Sequence, residues 1–273
     1  MPAQRQIVSV VIPVLNEEDG VFLLKQKLLN LRDLLSDRYD LELVFVDDGS
    51  RDETVSALEK HFVSAGMQFR ILEHGRNRGV GAAFRTGFEY CNGAFICTID
   101  ADCTYSPEGL KLLLTALHVT GRDIAVASPY HPQGRVEGVP RWRLVLSKCC
   151  SALYRMFSPL KLYTYTSIFR AYRAEVVRNV QFESNGFVSA PEILLAAARS
   201  GYTVTEVPLV LRARCVGRSK MKIARTIGSH LEMLLGFSGL PVRSAEMQVH
   251  GRPPKRLVKA GIAQGENKDP FAA

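Results

Sequence analysis

Short apolar runs alternate with amphipathic stretches through the first half of this chain. The runs are rich in apolar and β-branched residues and predict buried strands: Ile7–Val14, Leu41–Val46, Phe69–Glu73 and Ala94–Ile99. After the first run, apolar residues recur three or four positions apart, as on one face of a helix: Val21, Leu24, Leu28, Leu31 and Leu35. Strands that alternate with helices predict an α/β fold, in which crossover helices flank a mostly parallel central sheet.

The remaining elements are predicted from caps, chain breakers and shorter apolar runs. Asn16 precedes three acidic residues and is interpreted as the cap of the first helix. Pro191 suits the first position of a helix, so Glu192 is expected to begin the helix Ile193–Arg199. The polar, proline-containing segment 251–273 predicts a disordered tail. The other predicted elements are helices over 52–61, 82–90 and 141–156, a loop over 128–134, and a strand over Thr203–Leu211.

Acidic and polar clusters follow the predicted strands at the points where those strands end. They are Asp47-Asp48 after the second strand, Asn77 after the third, and Asp100-Ala101-Asp102 after the fourth. Parallel strands bring their carboxyl ends to one edge of a sheet, where open α/β folds bind ligands. Each cluster alone could be turn or helix-cap chemistry, because Asp, Asn and Gly favour turns. Together they favour a nucleotide-diphosphate cleft in which Asp100 and Asp102 bind a divalent cation.

Charge and composition limit the partners and metal sites that this chain is expected to have. The 273 residues are 47% hydrophobic, which suffices for a large core, and the formal net charge is +8. Residues 201–273 carry 12 Lys or Arg against 5 Asp or Glu, a bias that suits an anionic membrane or a phosphorylated ligand. A solvated basic face with no partner is the alternative. Few aromatic residues accompany these cations, so we do not expect a nucleic-acid partner. The six cysteines form no C-x-x-C pair, which argues against a zinc site.

We expect no membrane-spanning helix, because no apolar run reaches about 18 to 20 residues. The N-terminus lacks a signal-peptide pattern, so the expected location is the cytoplasm. Peripheral attachment to a membrane is the alternative. The segment Ile227–Leu240 either rests on a membrane surface through its leucines or packs on the rest of the domain.

Six segments form an ordered set, although each alone is weakly specific. They are Val11–Glu18, Val46–Asp52, Arg76–Gly81, Asp100–Asp102, Phe169–Arg173, and Glu206–Pro208 with Gly217–Lys220. In this order they resemble the family 2 glycosyltransferases of GT-A fold, particularly the dolichol-phosphate mannose synthase-like branch. The resemblance implies a GT-A domain over residues 1–240, followed by a basic, flexible tail over 241–273.

The resemblance also implies roles on the donor side of the site. The donor's base and ribose would contact Asp48 and the loop that contains Pro13, Val14, Asn16 and Glu17, while Asn77 and Gly79 shape the floor. Asp100-Ala101-Asp102 would be the family's Asp-x-Asp segment, in which the two aspartates hold Mg²⁺ or Mn²⁺ against the donor diphosphate. Cleavage of the sugar–phosphate bond leaves negative charge on the departing nucleotide, which such a cation stabilises.

On the acceptor side, the resemblance places basic residues near a phosphate: Arg143 with Ser147, and Arg214 with Ser219 and Lys220. A phosphate acceptor is already ionised, so it needs positioning and charge neutralisation rather than a strong base. A sugar hydroxyl would need a carboxylate base, for which Glu192 is the candidate. The alternative for Glu192 is an acid that merely begins a helix. Three positions depart from the branch, namely Thr104, Pro129 and Thr164.

The predicted function is therefore an inverting, metal-dependent hexosyltransferase. Its donor would be a nucleotide-diphosphate sugar of the GDP-mannose or UDP-glucose type, and its acceptor a polyprenyl phosphate. A saccharide or small-molecule hydroxyl is the alternative acceptor. A non-catalytic module that binds anionic lipid is the alternative from a different class. A dinucleotide-binding oxidoreductase is disfavoured, because Phe84 occupies the third glycine position of that motif.

Overall fold

The computed structural model describes residues 5–214, 228–230 and 232–233, together with the backbone of 256–260. Two short 3₁₀ turns, Glu18–Gly20 and Pro107–Gly109, precede helices. The strands are β1 (Gln6–Val14), β2 (Tyr39–Asp47), β3 (Gln68–Glu73), β4 (Phe95–Thr98), β5 (Ile124–Ser128), β6 (Arg135–Glu137), β7 (Arg170–Arg173), β8 (Val204–Pro208), β9 (Val210–Arg212) and β10 (Arg256–Ala260). The helices are α1 (Val21–Leu35), α2 (Thr54–Val63), α3 (Val80–Glu89), α4 (Leu110–Thr120), α5 (Arg141–Phe157), α6 (Ala174–Asn179) and α7 (Ser189–Arg199).

A mostly parallel sheet forms the centre of the molecule, as the sequence predicts. Within the described residues its strand order is β10-β3-β2-β1-β4-β7-β5-β8. The pairs β1/β2, β1/β4, β2/β3 and β5/β8 are parallel, whereas β7 runs antiparallel to both of its neighbours. A second, two-stranded sheet joins β6 to β9. The carboxyl ends of β1, β2, β3 and β4 therefore share one edge.

Both faces of the central sheet are buried, because helices cover each of them. Alternate residues of β1 face opposite ways: Val10 and Ile12 belong to one core cluster and Val11 to the other. This two-sided burial explains the continuous apolar character of the strands. The five apolar positions predicted for the first helix are all buried against the first cluster, which confirms that pattern.

The strand β7 has no counterpart among the predicted elements. Its sequence begins and ends with arginine, and charged residues are rarely buried unless they are paired. Arg170 is nevertheless fully buried, because its guanidinium donates to the carbonyl oxygens of Ala190 at 2.5 Å and Tyr165 at 2.7 Å. The predicted strand Thr203–Leu211 is also divided at Leu209, so that β8 joins the central sheet and β9 the small one.

The predicted disorder of residues 251–273 is wrong for one part of that segment. The backbone of Arg256–Ala260 pairs antiparallel with β3 and forms the edge of the central sheet. Without it, β3 would present a row of unpaired backbone groups, which readily accept another strand. Composition averaged over the whole tail could not reveal this pairing, because the strand is only five residues long.

The segment Ile227–Leu240 lies mostly outside the described residues. Residues 228–230 and 232–233 are helical. His230 Nδ1 lies 2.8 Å from the hydroxyl oxygen of Tyr154 on α5, and burial lowers the pKa of His230 to about 4. This described part therefore packs against α5, in agreement with the second of the two alternatives.

At the amino ends of the strands, Glu42 forms the centre of a buried polar network. Its carboxylate accepts hydrogen bonds from Arg70 at 2.8 Å, Ser9 at 2.5 Å, and both the backbone and the side chain of Asn92. The Glu42 side chain is 1% exposed. Each carboxylate oxygen is satisfied, so this network stabilises the end of the sheet that lies away from the strand-end aspartates.

We predict that Glu42→Ala lowers the free energy of unfolding by about 3–5 kcal/mol, because it leaves the Arg70 charge without its buried partner. The exposed pair Arg5–Asp40 is the control, since its side chains are 51% and 53% exposed. Asp40→Ala should change stability by no more than about 1 kcal/mol. Chemical denaturation measures both, and equal effects of the two substitutions would contradict the structural role of Glu42.

Candidate active site

The loop after β1 is fixed to the segment after β2 by hydrogen bonds between main-chain N–H groups and side-chain oxygens. The N–H groups of Asn16 and Glu17 donate to the hydroxyls of Ser50 and Thr54, each at 2.8 Å. In return, Asn16 Oδ1 accepts from the N–H of Arg51 at 2.7 Å. The predicted helix cap at Asn16 is therefore wrong: its side chain joins two loops, and the turn Glu18–Gly20 separates it from α1. Pro13 and Val14 lie at the end of β1, directly before this loop.

The adjacent acids at the carboxyl end of β2 organise the backbone around them. Asp47 accepts hydrogen bonds from the N–H groups of Gly49 and Ser50. Asp48 is 4% exposed and accepts from the N–H groups of Arg78 at 2.8 Å and Gly79 at 2.7 Å. Asp48 thus holds the loop after β3, and its direct contact with a donor's ribose stays a prediction.

His74 is a site residue that the sequence reasoning missed. Its Nδ1–H donates to Asp48 at 2.8 Å, and its Nε2 lies 2.9 Å from the hydroxyl oxygen of Thr86 on α3. The imidazole is buried and links β3, the Asp48 carboxylate and α3. A histidine between a strand and a Gly-rich connection is the signal that could have identified it.

The loop after β3 requires glycine at position 79. Gly79 has a φ of 97°, and a Cβ there would lie 2.3 Å from the carbonyl oxygen of Asn185. The same carbonyl accepts a hydrogen bond from the N–H of Gly81 at 2.7 Å. Asn77 is exposed in this loop. Gly79 and Asn77 therefore belong to the loop whose backbone Asp48 holds, and their contact with a donor stays a prediction.

Asp100 and Asp102 emerge directly after β4, as predicted. Asp102 Oδ1 accepts a hydrogen bond from the N–H of Thr104 at 3.1 Å, so the segment is a turn as well as a pair of carboxylates. Ala101 between them is buried. Burial and the neighbouring charge of Asp102 raise the pKa of Asp100 well above its usual range, and Glu17 adds to this rise. Two carboxylates held this close favour the binding of a cation.

Arg214 brings the opposite charge to these carboxylates. Its Nη2 contacts Glu17 Oε2, and its Nε lies 3.9 Å from Asp102 Oδ2. The strand β9 delivers it, because the N–H of Arg212 donates to the carbonyl oxygen of Thr104 at 2.8 Å. Four predicted site residues therefore meet: Glu17, Asp100, Asp102 and Arg214.

The other predicted acceptor residues lie on α5 or outside the described residues. Arg143 lies half-buried on α5, and its Nε has no hydrogen-bond partner within the described part of the chain. Ser147 bonds to the Thr166 hydroxyl at 2.9 Å. Lys220 and Ser219 lie outside the described residues. The roles of all four stay predictions.

Glu192 lies in the first turn of α7, four residues after Val188, the residue that caps the start of that helix. Its carboxylate oxygens accept hydrogen bonds from the N–H groups of Glu183 and Ser184, each at 2.9 Å. This arrangement anchors the loop before α7 and agrees with the alternative of a helix-start acid. A role as general base is not tested by these contacts.

The two aspartates fit a hard divalent cation. Their oxygens are the ligands that Mg²⁺ and Mn²⁺ prefer. The raised pKa of Asp100 indicates that Arg214 only partly offsets the negative charge at this carboxylate. No group of three or more His, Cys, Asp or Glu suited to an ion occurs among the described residues. The described residues would therefore supply these two carboxylates, and donor phosphates and water would complete the shell.

Comparison with known proteins identifies the class of this protein. The fold is that of a GT-A glycosyltransferase. Residues 9–181 match the family model described as "Glycosyl transferase family 2", so the chain belongs to family 2 of the glycosyltransferases. This confirms the predicted family, fold class and enzyme type.

Two curated relatives are similar over most of this chain. A polyprenol monophosphomannose synthase of Mycolicibacterium smegmatis is 30% identical over 226 residues, which cover 81% of this chain and 82% of the relative. A dolichol-phosphate mannosyltransferase of Pyrococcus furiosus is 31% identical, with 82% of this chain and 61% of the relative covered. Both names belong to the branch that the sequence motifs resemble.

A solved structure supports the fold. It is a glucosyl-3-phosphoglycerate synthase of Mycobacterium tuberculosis, in complex with Mn²⁺, UDP-glucose and phosphoglyceric acid. The two chains superpose with a TM-score of 0.63 at 21% identity, over 86% of this chain and 81% of that one. At this identity the likeness establishes the fold alone. None of the helices in the described part of this chain is long and apolar enough to cross a bilayer.

We predict that Asp100→Asn stabilises the metal-free protein while it weakens Mn²⁺ binding. A carboxyl whose pKa is raised by folding destabilises the fold when it is ionised. The gain in Tm measured in EDTA should therefore be larger at pH 8 than at pH 5. Asp33→Asn, at an exposed position on α1, is the control and should change neither quantity.

The same raised pKa predicts how metal binding depends on pH. A proton on Asp100 competes with the cation, so Mn²⁺ affinity should fall as the pH is lowered through that raised pKa. Two ordinary carboxylates would keep their affinity down to about pH 4. Titration of Mn²⁺ by electron paramagnetic resonance between pH 8 and pH 4 tests this. A flat profile above pH 5 would contradict it.

Proposed function

We propose that this enzyme transfers a hexose, with inversion, from a nucleotide-diphosphate sugar of the GDP-mannose or UDP-glucose type to a polyprenyl phosphate. The observation that carries the proposal is the meeting of Asp100, Asp102 and Arg214 at the carboxyl edge of the sheet. In this reaction an acceptor phosphate oxygen attacks the anomeric carbon. The bond from that carbon to the donor diphosphate breaks, and the nucleoside diphosphate leaves with the additional negative charge.

The described residues supply what such a leaving group needs. Asp100 and Asp102 would hold Mg²⁺ or Mn²⁺, which supplies positive charge at the departing diphosphate. Arg214 lies 3.9 Å from Asp102 and adds a fixed cation to the same place. Asp48 and His74 hold the loop that contains Gly79, so this loop is in place before a ligand arrives.

A phosphate acceptor agrees with the chemistry of the described residues. An acceptor phosphate is ionised at neutral pH and needs no general base. Glu192, the candidate base for a hydroxyl acceptor, already accepts two main-chain hydrogen bonds. The two curated relatives, by their names, act on polyprenol and dolichol phosphates. These points favour polyprenyl phosphate over a saccharide or small-molecule hydroxyl.

The outer side of α5 supports a peripheral position on a membrane. Apolar side chains are exposed along one row of the helix, including Trp142 at 50%, Val145 at 61% and Met156 at 73%. A row of exposed cations, Arg141, Lys148 and Arg155, recurs every seven residues beside it. The helix contains no acid. Exposed apolar residues beside cations suit the surface of an anionic bilayer, where a polyprenyl phosphate would be found.

A transfer assay tests the proposed function. Radiolabelled GDP-mannose and UDP-glucose are each mixed with undecaprenyl phosphate or with an alkyl glycoside, with Mn²⁺ or EDTA. We expect label in the lipid phosphate only, no transfer in EDTA, and a fall in kcat of about 10²–10³-fold for Asp102→Ala. Full activity of that variant in EDTA would contradict the metal site. Transfer to the glycoside alone would favour the hydroxyl acceptor.

Vesicle flotation tests the membrane surface. The double substitution of Trp142 and Met156 by Asp should abolish binding to phosphatidylglycerol vesicles, because it removes exposed apolar area and adds repulsive charge. Val119→Asp is the matched control, since Val119 is 79% exposed on α4. Unchanged flotation of the double variant would remove α5 as the contact surface.

A further inference from the structure

Glu17 and Arg214 connect two distant parts of the chain. They are separated by 197 residues, yet Arg214 Nη2 donates to Glu17 Oε2, and each side chain is 15% exposed. Glu17 follows β1 of the central sheet, whereas Arg214 follows β9 of the small sheet. The ion pair therefore joins the segment after β1 to the segment after β9, beside the two strand-end aspartates.

The backbone on both sides of this ion pair is fixed. On one side, the N–H of Glu17 donates to the Thr54 hydroxyl at 2.8 Å. On the other side, the N–H groups of Arg212 and Ala213 donate to the carbonyl oxygens of Thr104 and Glu137, each at 2.8 Å. Two anchored segments therefore hold the guanidinium in one place. Its Nε edge lies 3.9 Å from Asp102 Oδ2.

The charges beside this ion pair suit a divalent cation that is bound together with the diphosphate of the donor. Three carboxylates, those of Glu17, Asp100 and Asp102, lie around one guanidinium, that of Arg214. Among the described residues, these three ionised carboxylates and one guanidinium have a net charge of −2, which one divalent cation neutralises. The planar guanidinium presents its donors in a fixed fork that suits phosphate oxygens. A carboxylate that fixes one nitrogen of this fork sets the direction of the others.

We propose that Glu17 is a positioning residue that holds the Arg214 guanidinium beside Asp102, so that the arginine and a divalent cation lie side by side on the donor diphosphate. This inference rests on the proposed function, because it takes the donor to be a nucleoside diphosphate sugar. It assigns Glu17 to the phosphate end of the donor. The family resemblance implies contact with the base and ribose instead, and the two assignments predict different binding behaviour.

Binding measurements with and without phosphate separate the two roles. The wild type, Glu17→Gln, Arg214→Gln and the double variant are titrated with UDP and GDP in Mn²⁺, and with uridine and guanosine. We expect each single variant to weaken binding of the preferred diphosphate about tenfold, and the double variant to be no weaker than the weaker single one. Nucleoside binding should not change. Asp19→Asn, an exposed carboxylate two residues away, should match the wild type.

Titration with Mn²⁺ alone gives a second readout that a folding defect would not reproduce. Arg214→Gln removes a cation that competes for Asp102 and should strengthen Mn²⁺ binding. Glu17→Gln removes a nearby anion and leaves Arg214 to pair with Asp102, so it should weaken Mn²⁺ binding. A folding defect would weaken binding in both variants. Opposite signs therefore show that both variants fold and that both charges act on the cation site, as the inference requires, and equal signs overturn it.

Three further results would overturn the inference. Glu17→Gln could weaken nucleoside and diphosphate equally, which would assign Glu17 to the base and ribose. The effects of the two single substitutions could simply add, which would show that the residues act independently. A wild type that bound neither nucleotide would overturn the proposed function and this inference with it, whereas the first two results leave the proposed function intact.

Discussion

The structure depends on how hydrogen bonds and opposite charges offset the negative charge of acidic side chains at the carboxyl edge of a buried sheet. A carboxylate beside an apolar core is costly unless hydrogen bonds or opposite charges satisfy it. Asp47 is satisfied by two main-chain N–H groups, and Asp48 by two more and by His74. Glu17 is satisfied by Arg214. Asp100 is left with a strongly raised pKa, so the cost of forming the site is concentrated where a cation would relieve it.

The two ends of the sheet show the contrast between a structural and a functional acid. At the amino ends, Glu42 is 1% exposed, and Arg70, Ser9 and Asn92 satisfy both of its oxygens. At the carboxyl ends, Asp100 faces a second carboxylate, and one arginine offsets the pair. Completeness of the local hydrogen bonds, rather than burial alone, therefore distinguishes the acid that stabilises the fold from the acid that is available to a ligand.

Local sequence patterns predicted those elements whose formation depends on residues that are neighbours in the sequence. Period and composition predicted β1–β4 and the buried face of α1, and the strand-end positions predicted that Asp100 and Asp102 would lie at one edge. The same patterns did not predict elements or buried residues that depend on a partner distant in the sequence. The burial of Arg170 depends on the carbonyls of Ala190 and Tyr165, and β10 depends on the open edge of β3. The role of His74 likewise appears only once Asp48 and Thr86 are folded around it.

The site also joins parts of the chain that lie far apart in the sequence. The family match covers residues 9–181, which contain Asp100 and Asp102 but not Arg214. The small sheet nevertheless delivers Arg214 to the same carboxylates, because β9 pairs with β6 and bonds to the backbone of Thr104. The proposed contacts with the diphosphate are therefore shared between the segment after β4 and the segment after β9. A change in the later segment can alter how the leaving group is held without any change in the Asp-x-Asp pair itself.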